Sequence, residues 1–280
     1  MTKGRDRFSR EDAEAGCVEP FVDADLYDYE YRRRRADITF YRRLARNRAE
    51  FTSGLLLDLA CGSGRLLLPL VRDGHSVVGI DRSAGMLAAA ARRIRRLSPS
   101  RKQQCTLIRA DLRSYELHAK ANLAVAAFHS VQHLVGDGDF LRFLRTTRAN
   151  LMAGGWLAFD VLPPDPVWLA RDPERRWGRT MLRHPTTRER LVYTTNHVFD
   201  ADSHLLHMRL YYQPVDEKGH PSGPERTVRL CHRQFWPDEV ERTLRMAGFR
   251  PVETFASFDG RLLCDSPQAA DEHVYVAVAV

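Results

Sequence analysis

The chain has little lysine, few cysteines and no apolar run long enough to cross a bilayer. Only four of its 43 basic residues are lysine, at Lys3, Lys102, Lys120 and Lys218, so the net charge of +7 is an arginine charge. An arginine excess can mark an RNA or other anionic partner. Its densest clusters, at residues 32–35, 42–48 and 92–96, fall on expected helices, where a solvated charged face is the plainer reading and nucleic-acid contact the alternative. The five cysteines, at 17, 61, 105, 231 and 264, have neither disulfide nor metal-ligand spacing. An odd, scattered set suits a reducing compartment. The first ten residues are too polar for a secretory signal. A cytoplasmic protein with no membrane segment is therefore expected. No histidine stands in ligand spacing with a carboxylate, so no metal site is expected. There is no internal repeat.

A strand–turn–helix signature is present. Leu55-Leu-Leu-Asp-Leu-Ala-Cys-Gly-Ser-Gly-Arg65 reads as a buried strand running into a glycine turn and then a helix. A second strand at 76–81 ends in Asp81, about 20 residues on, as in nucleoside-binding half-sheets where an acid accepts from ribose hydroxyls. Gly62 and Gly64 fit G-x-G-x-x-G, but the third glycine position holds Leu67, which argues against a dinucleotide. Asp58 would repel a pyrophosphate and attract a cation. S-adenosylmethionine, with a sulfonium, an ammonium and no phosphate, is the cofactor this pattern favours.

Three motifs carry a family resemblance. Asp58-Leu-Ala-Cys-Gly-Ser-Gly64 resembles the first motif of class I S-adenosylmethionine-dependent methyltransferases, with Ala60 in place of the usual first glycine and Cys61 as small filler. Gly79-Ile-Asp-Arg-Ser-Ala-Gly-Met-Leu87 is similar to the second motif, which adds Arg82 and Met86 to the cofactor set. Arg109-Ala-Asp-Leu112 is similar to the third, implying that Asp111, beside Leu112, meets the adenine amino group. The resemblance runs from about Tyr27 to Val280. It implies that the leading helix covers the cofactor, with Tyr27 at the cofactor and Tyr31 at the substrate; packing roles are the plain alternative. S-adenosylhomocysteine is the implied product.

Strands and helices alternate from residue 55 to 162. The expected fold is α/β: a Rossmann-like, doubly wound, mostly parallel seven-stranded sheet whose ligand lies beyond the carboxyl ends of the strands. Asp58, Asp81, Asp111 and Phe128 all fall at such ends. Residues 1–20 read as a disordered tail, and about 26–49 as one helix. Residues 21–163 and 235–280 form the expected main domain. Residues 164–234 read as an inserted antiparallel sheet covering the substrate site, with Tyr211 and Tyr212 on opposite faces of one strand. Gly154-Gly155 reads as a helix stop before a strand at 156–162.

Such an insertion resembles small-molecule N-methyltransferases, of the glycine N-methyltransferase and aminosugar dimethyltransferase types. Phe128-His-Ser-Val-Gln-His-Leu134 resembles the segment after the fourth strand in the aminosugar enzymes. His129 and His133, four apart, would share a helical face and line the pocket as candidate bases. His232, Arg233 and Trp236, with Tyr211, are candidates for substrate contact; a packing role for Trp236 is the plainer alternative. Asp160-Val-Leu-Pro-Pro-Asp165 follows the fifth strand and lacks an aromatic residue after its prolines, so it reads as a rigid exit and not as the signature of nucleic-acid amino methyltransferases. The expected activity is methyl transfer to a small molecule, at an amine nitrogen first and a hydroxyl second. An RNA or protein methyltransferase, and a non-catalytic cofactor-binding regulator, are the alternatives. The resemblance leaves a homodimer open.

Overall fold

The computed structural model describes residues 8–47, 54–265 and 270–280. The chain divides into two units, Glu30–Pro163 with Phe235–Val280, and Met1–Tyr29 with Pro164–Gln234.

The first unit is built on a seven-stranded sheet. Its strands are β1 (Leu55–Leu59), β2 (Ser76–Asp81), β3 (Cys105–Arg109), β4 (Ala121–Ala126) and β5 (Leu151–Val161), then two late strands at Phe249–Phe255 and His273–Ala279. β1 pairs in parallel with β2 and β4, β2 with β3, and β4 with β5. The last strand runs antiparallel to both β5 and Phe249–Phe255. The doubly wound sheet expected from the alternation is thus present. Central strands are apolar on both faces because helices cover both. Leu57, Leu59, Ile80, Ala124 and Phe159 join one core with Phe140, Phe143 and Leu244; Leu56, Val77, Leu123 and Val125 join the other with Phe40, Tyr41, Leu67 and Val71.

Two helices lead this unit's first strand. The helix expected over about 26–49 is divided into Ala24–Tyr31 and Ala36–Asn47 by the arginine run between them; 48 and 49 lie outside the described residues. The Gly154–Gly155 stop is not observed. Helix Asp139–Asn150 passes directly into β5, and the register against β4 shifts between Ala121 and Leu123 where Gly154 turns at φ +71°. A bulge, not a loop, absorbs the glycine pair.

Gly79, in the middle of β2, has no room for a side chain. An added Cβ would lie 2.3 Å from Leu67 Cδ1 and 2.9 Å from Cys61 Sγ. Both neighbours are buried, so they yield only by disturbing the turn that follows β1. Gly79→Ala is expected to lower stability by about 1–3 kcal/mol, the usual cost of overpacking. Urea unfolding checks this, and an unchanged midpoint would count against the packing assigned to Cys61.

The second unit contains β6 (Trp177–Arg183), β7 (Arg190–Asp200), β8 (Leu205–Pro214) and β9 (Arg226–Arg233), an antiparallel sheet in that order. Leu26, Leu191, Leu210 and Tyr212 form its small core. The disordered tail expected over 1–20 needs correction from residue 8 onward; 1–7 lie outside the described residues. Arg10–Gly16 is a helix whose capping box pairs the Ser9 side chain with the Asp12 N–H and the Asp12 side chain with the Ser9 N–H. Arg229 on β9 ties down Asp12 and Glu19, and Cys17 is buried. These residues, and 21–29 with them, group with the inserted strands and not with the main sheet.

Candidate functional site

At the end of β1 the backbone turns through Ala60 at φ +58°, Gly62 at φ +53° and Gly64 at φ +84°. Glycine favours this conformation, and Ala60 adopts it at a cost. A Cβ on Gly62 would meet nothing within 4 Å, so the turn presents open backbone there. Cys61 is buried with its sulfur against Gly79, and burial pushes its thiol pKa well up; it fills space beneath the turn.

Three acids stand at the carboxyl ends of the first three strands. Asp58 is 2% exposed, and its Oδ2 has no hydrogen-bond partner among the described residues. Burial, reinforced by the charge on Asp81, raises its pKa to about 8. An orphaned buried carboxylate oxygen is a place for a cation. Asp81 accepts from the Gly62 N–H at 2.8 Å and from the Ser83 N–H at 2.8 Å, tying the turn to the helix at Ala84–Ile94. Asp111 is clamped by Arg113 at 2.8 and 2.6 Å, which holds its pKa below the usual range. The other members of the second and third motifs are placed unevenly. Met86 is buried, Arg82 is exposed with its carbonyl accepting from Arg109, and Leu112 packs on the core.

Beyond β4, Phe128 and His129 are both left-handed, at φ +62° and +59°. Neither is glycine, so the turn is strained and must be held. Asp160 at the end of β5 holds it. Fully buried, it accepts from the Phe128 N–H at 2.9 Å, the His129 N–H at 2.7 Å and the Tyr41 hydroxyl at 2.5 Å. Burial raises the pKa of Asp160, and of Tyr41 with it. The His129 Nε2 lies 2.7 Å from the Glu272 carboxylate. Tyr31 meets Phe128 edge-on at 5.0 Å, and the Arg65 guanidinium lies 4.4 Å from the same ring. Arg65 also pairs with Asp37 and donates to the Arg34 carbonyl at 2.6 Å.

The acids, the turn, Phe128, His129 and Tyr31 lie on one unit, and one expectation changes. His129 and His133 do not share a helical face. Ser130–His133 is a single 3-10 turn, and His129 precedes it in left-handed conformation. Tyr27 belongs to the second unit, where its ring lies 5.5 Å from Phe21. His232, Arg233 and Trp236 fall on either side of the boundary between the units. The first two end β9 in the second unit, whereas Trp236 caps a helix of the main unit and is 39% exposed. Tyr211 and Tyr212 do lie on opposite faces, Tyr211 donating to Asn196 and Tyr212 joining the small core. Arginines of the named clusters are partly used internally: Arg42 and Arg46 pair with Asp73, and Arg93 donates to Ser63.

Sequence reading missed Asp160, Glu272, Tyr41 and Arg65. An acid interrupting the apolar run of β5 was a signal for Asp160; Glu272 had none. Spacing also hid one histidine–carboxylate group: donor atoms of His129, Asp160 and Glu272 lie within 4.8 Å of one another. Within the group the His129 Nε2 is hydrogen-bonded to Glu272, and Asp160 accepts from the His129 backbone N–H.

Residues 56–155 match the family described as "Methyltransferase domain". A dTDP-3-amino-3,6-dideoxy-alpha-D-glucopyranose N,N-dimethyltransferase of Streptomyces fradiae is 29% identical over 152 residues, 52% of this chain; the match spans 53% of that relative's length. The CcbJ methyltransferase of Streptomyces caelestis superposes with a TM-score of 0.71 at 20% identity, covering 95% of this chain and 99% of that one. The glycopeptide N-methyltransferase MtfA, solved as a complex with (S)-adenosyl-L-methionine, gives a TM-score of 0.55 at 22% identity, covering 87% and 95%. Residues 56–155 therefore match a methyltransferase domain, and the seven-stranded sheet that holds them has the Rossmann-like fold of solved methyltransferases.

Proposed function

We propose that this chain is a methyltransferase that uses S-adenosylmethionine and methylates an amine nitrogen of a small molecule, an amino sugar being the favoured class. The observation that carries the cofactor is Asp58, a buried carboxylate with an orphaned oxygen beside an open backbone turn. That arrangement suits the cationic methionine end and opposes a pyrophosphate. Asp81 would hold the ribose and Asp111 the adenine amino group. When bound, the cofactor supplies a methyl group activated by a sulfonium. The chain's part is to bind, to orient and to take a proton from the acceptor where it arrives as an ammonium. We assign that step to His129, and the turn that Asp160 fixes beneath it supports the assignment. The amino-sugar acceptor rests on the dimethyltransferase relative, and N- over O-methylation rests on the same likeness.

Methyl-labelled cofactor, supplied with dTDP-3-amino-3,6-dideoxy-α-D-glucopyranose and with RNA and protein pools in parallel, tests this reading. Label on the sugar nitrogen is the expected result. Label in RNA or protein would overturn the substrate class, and cofactor binding with no transfer to any pool would favour a regulatory protein.

Asp58 also predicts a pH dependence. With its pKa raised to about 8, the ligand-free carboxyl is roughly nine-tenths protonated at pH 7. A bound cation favours the ionised form and lowers that pKa, so binding releases a proton. Affinity for S-adenosylhomocysteine, which keeps the ammonium, should rise with pH up to about 8 and level off above it. Calorimetry in buffers of different ionisation enthalpy reads the released proton. Asp58→Asn should abolish that release, and an equal release from the variant would remove Asp58 from the cofactor site.

A further inference from the structure

Glu272 and His129 are 143 residues apart in sequence, yet they form a largely buried pair. The backbone N–H of Glu272 donates to the Ala256 carbonyl at 3.2 Å, which anchors the acid. His129 is anchored separately, by its own N–H on Asp160. The ring is 7% exposed. Its Nε2 points at the Glu272 carboxylate at 2.7 Å, whereas Nδ1 takes no hydrogen bond among the described residues. A carboxylate accepts and does not donate, so the neutral ring must carry its proton on Nε2. Nδ1 is then the bare nitrogen. A carboxylate on one imidazole nitrogen and a free lone pair on the other is the arrangement by which an acid orients a base.

We propose that Glu272 is a positioning residue for His129, holding Nε2 so that Nδ1 is the nitrogen that takes the acceptor's proton. The role of the acceptor rests on the methyl-transfer reading above. The proton step balances within the pair. An N–H bond of the acceptor ammonium breaks and its electron pair stays on nitrogen. The Nδ1–H bond forms, and the proton later passes to solvent. The imidazolium so formed stands beside Glu272 and, at 3.7 Å, Asp160. Asp37 and Arg34 also act on the ring or its partners, and Tyr41 donates to Asp160. Burial opposes the charged ring, but the Glu272 hydrogen bond and the two carboxylates outweigh it and raise its pKa.

The test is nitrogen NMR of histidine-labelled protein with S-adenosylhomocysteine bound, titrated through neutrality, for wild type, Glu272→Gln and Glu272→Asp. The neutral ring should be the Nε2–H tautomer. Glu272→Gln should lower the midpoint, because a negative neighbour is lost, and Glu272→Asp should restore part of it. With the amino sugar above as probe, Glu272→Gln should reduce kcat on the order of tenfold to a hundredfold, the size of one hydrogen bond to a charged group. The acid limb of the rate profile should move down in pH together with the NMR midpoint. An Nδ1–H tautomer, a midpoint indifferent to Glu272→Gln, or a rate limb that stays while the midpoint moves would each overturn the proposal. So would one equivalent of Zn²⁺ bound by wild type and lost in Glu272→Gln. A wild type that ignores the probe overturns the acceptor class, while tautomer and midpoint still decide the position of Glu272.

Discussion

Asp81→Ala is expected to weaken S-adenosylhomocysteine binding by a hundredfold or more while leaving the chain folded. The carboxylate joins the two backbone segments that shape the glycine turn, accepting from Gly62 on one side and Ser83 on the other. Each hydrogen bond to a charged group is worth about 1.5–3 kcal/mol, and alanine removes both before any contact with ribose is counted. A factor of 100 needs only about 2.7 kcal/mol, so the turn alone is enough to produce the effect. Asp81 and Gly62 are only partly buried, so water can reach the orphaned N–H groups and global stability should suffer less than binding. Asp81→Asn is a useful intermediate. Its amide keeps one acceptor and turns an N–H toward the other donor, so one of the two links is lost. Calorimetry measures the affinities, and thermal unfolding confirms the fold. An Asp81→Ala protein that binds within about threefold of wild type would remove this acid from the cofactor site, since the loss expected from its two hydrogen bonds is far larger.

The half of the site that was legible in the sequence is the half made locally. A buried strand, a glycine turn and an acid after the next strand lie within 30 residues, and parallel pairing of β1 with β2 brings Asp58 opposite Gly79 at the same sheet edge. Topology did the same for Asp111 and Phe128. The other half is assembled by distance. Tyr41 and Asp160 are 119 residues apart, and no periodicity relates Glu272 to His129. The backbone at Phe128 and His129 was illegible for a different reason. Left-handed φ is signalled by glycine, and neither residue is glycine, so only the hydrogen bonds that hold the turn reveal it. The N-terminal helix was legible and overlooked: Ser9 and Asp12 have capping-box spacing, but the surrounding charge reads as disorder.

Those same hydrogen bonds make the loss of Asp160 costly to stability. Asp160→Ala leaves three donors without an acceptor, the Tyr41 hydroxyl and the His129 N–H, both buried, and the Phe128 N–H, part-buried. Each buried donor left unsatisfied costs about 1–3 kcal/mol, and part of the sum is recovered as the turn relaxes from its left-handed conformation. A net loss of about 3–5 kcal/mol is expected, a large share of the stability of an ordinary domain. Asp160→Asn should fall between, because its amide can accept on one side but opposes a donor on the other. Tyr41→Phe isolates the hydroxyl: it removes one donor and leaves the carboxylate two partners, so it should cost only about 1 kcal/mol. Urea unfolding of the three variants gives the order Asp160→Ala, Asp160→Asn, Tyr41→Phe. If Asp160→Ala lost less than about 1 kcal/mol, the Phe128–His129 turn would be held by something other than this carboxylate. His129 would then owe its position to Glu272 alone, and the pair would be a tether for the turn instead of a base and its orienting acid.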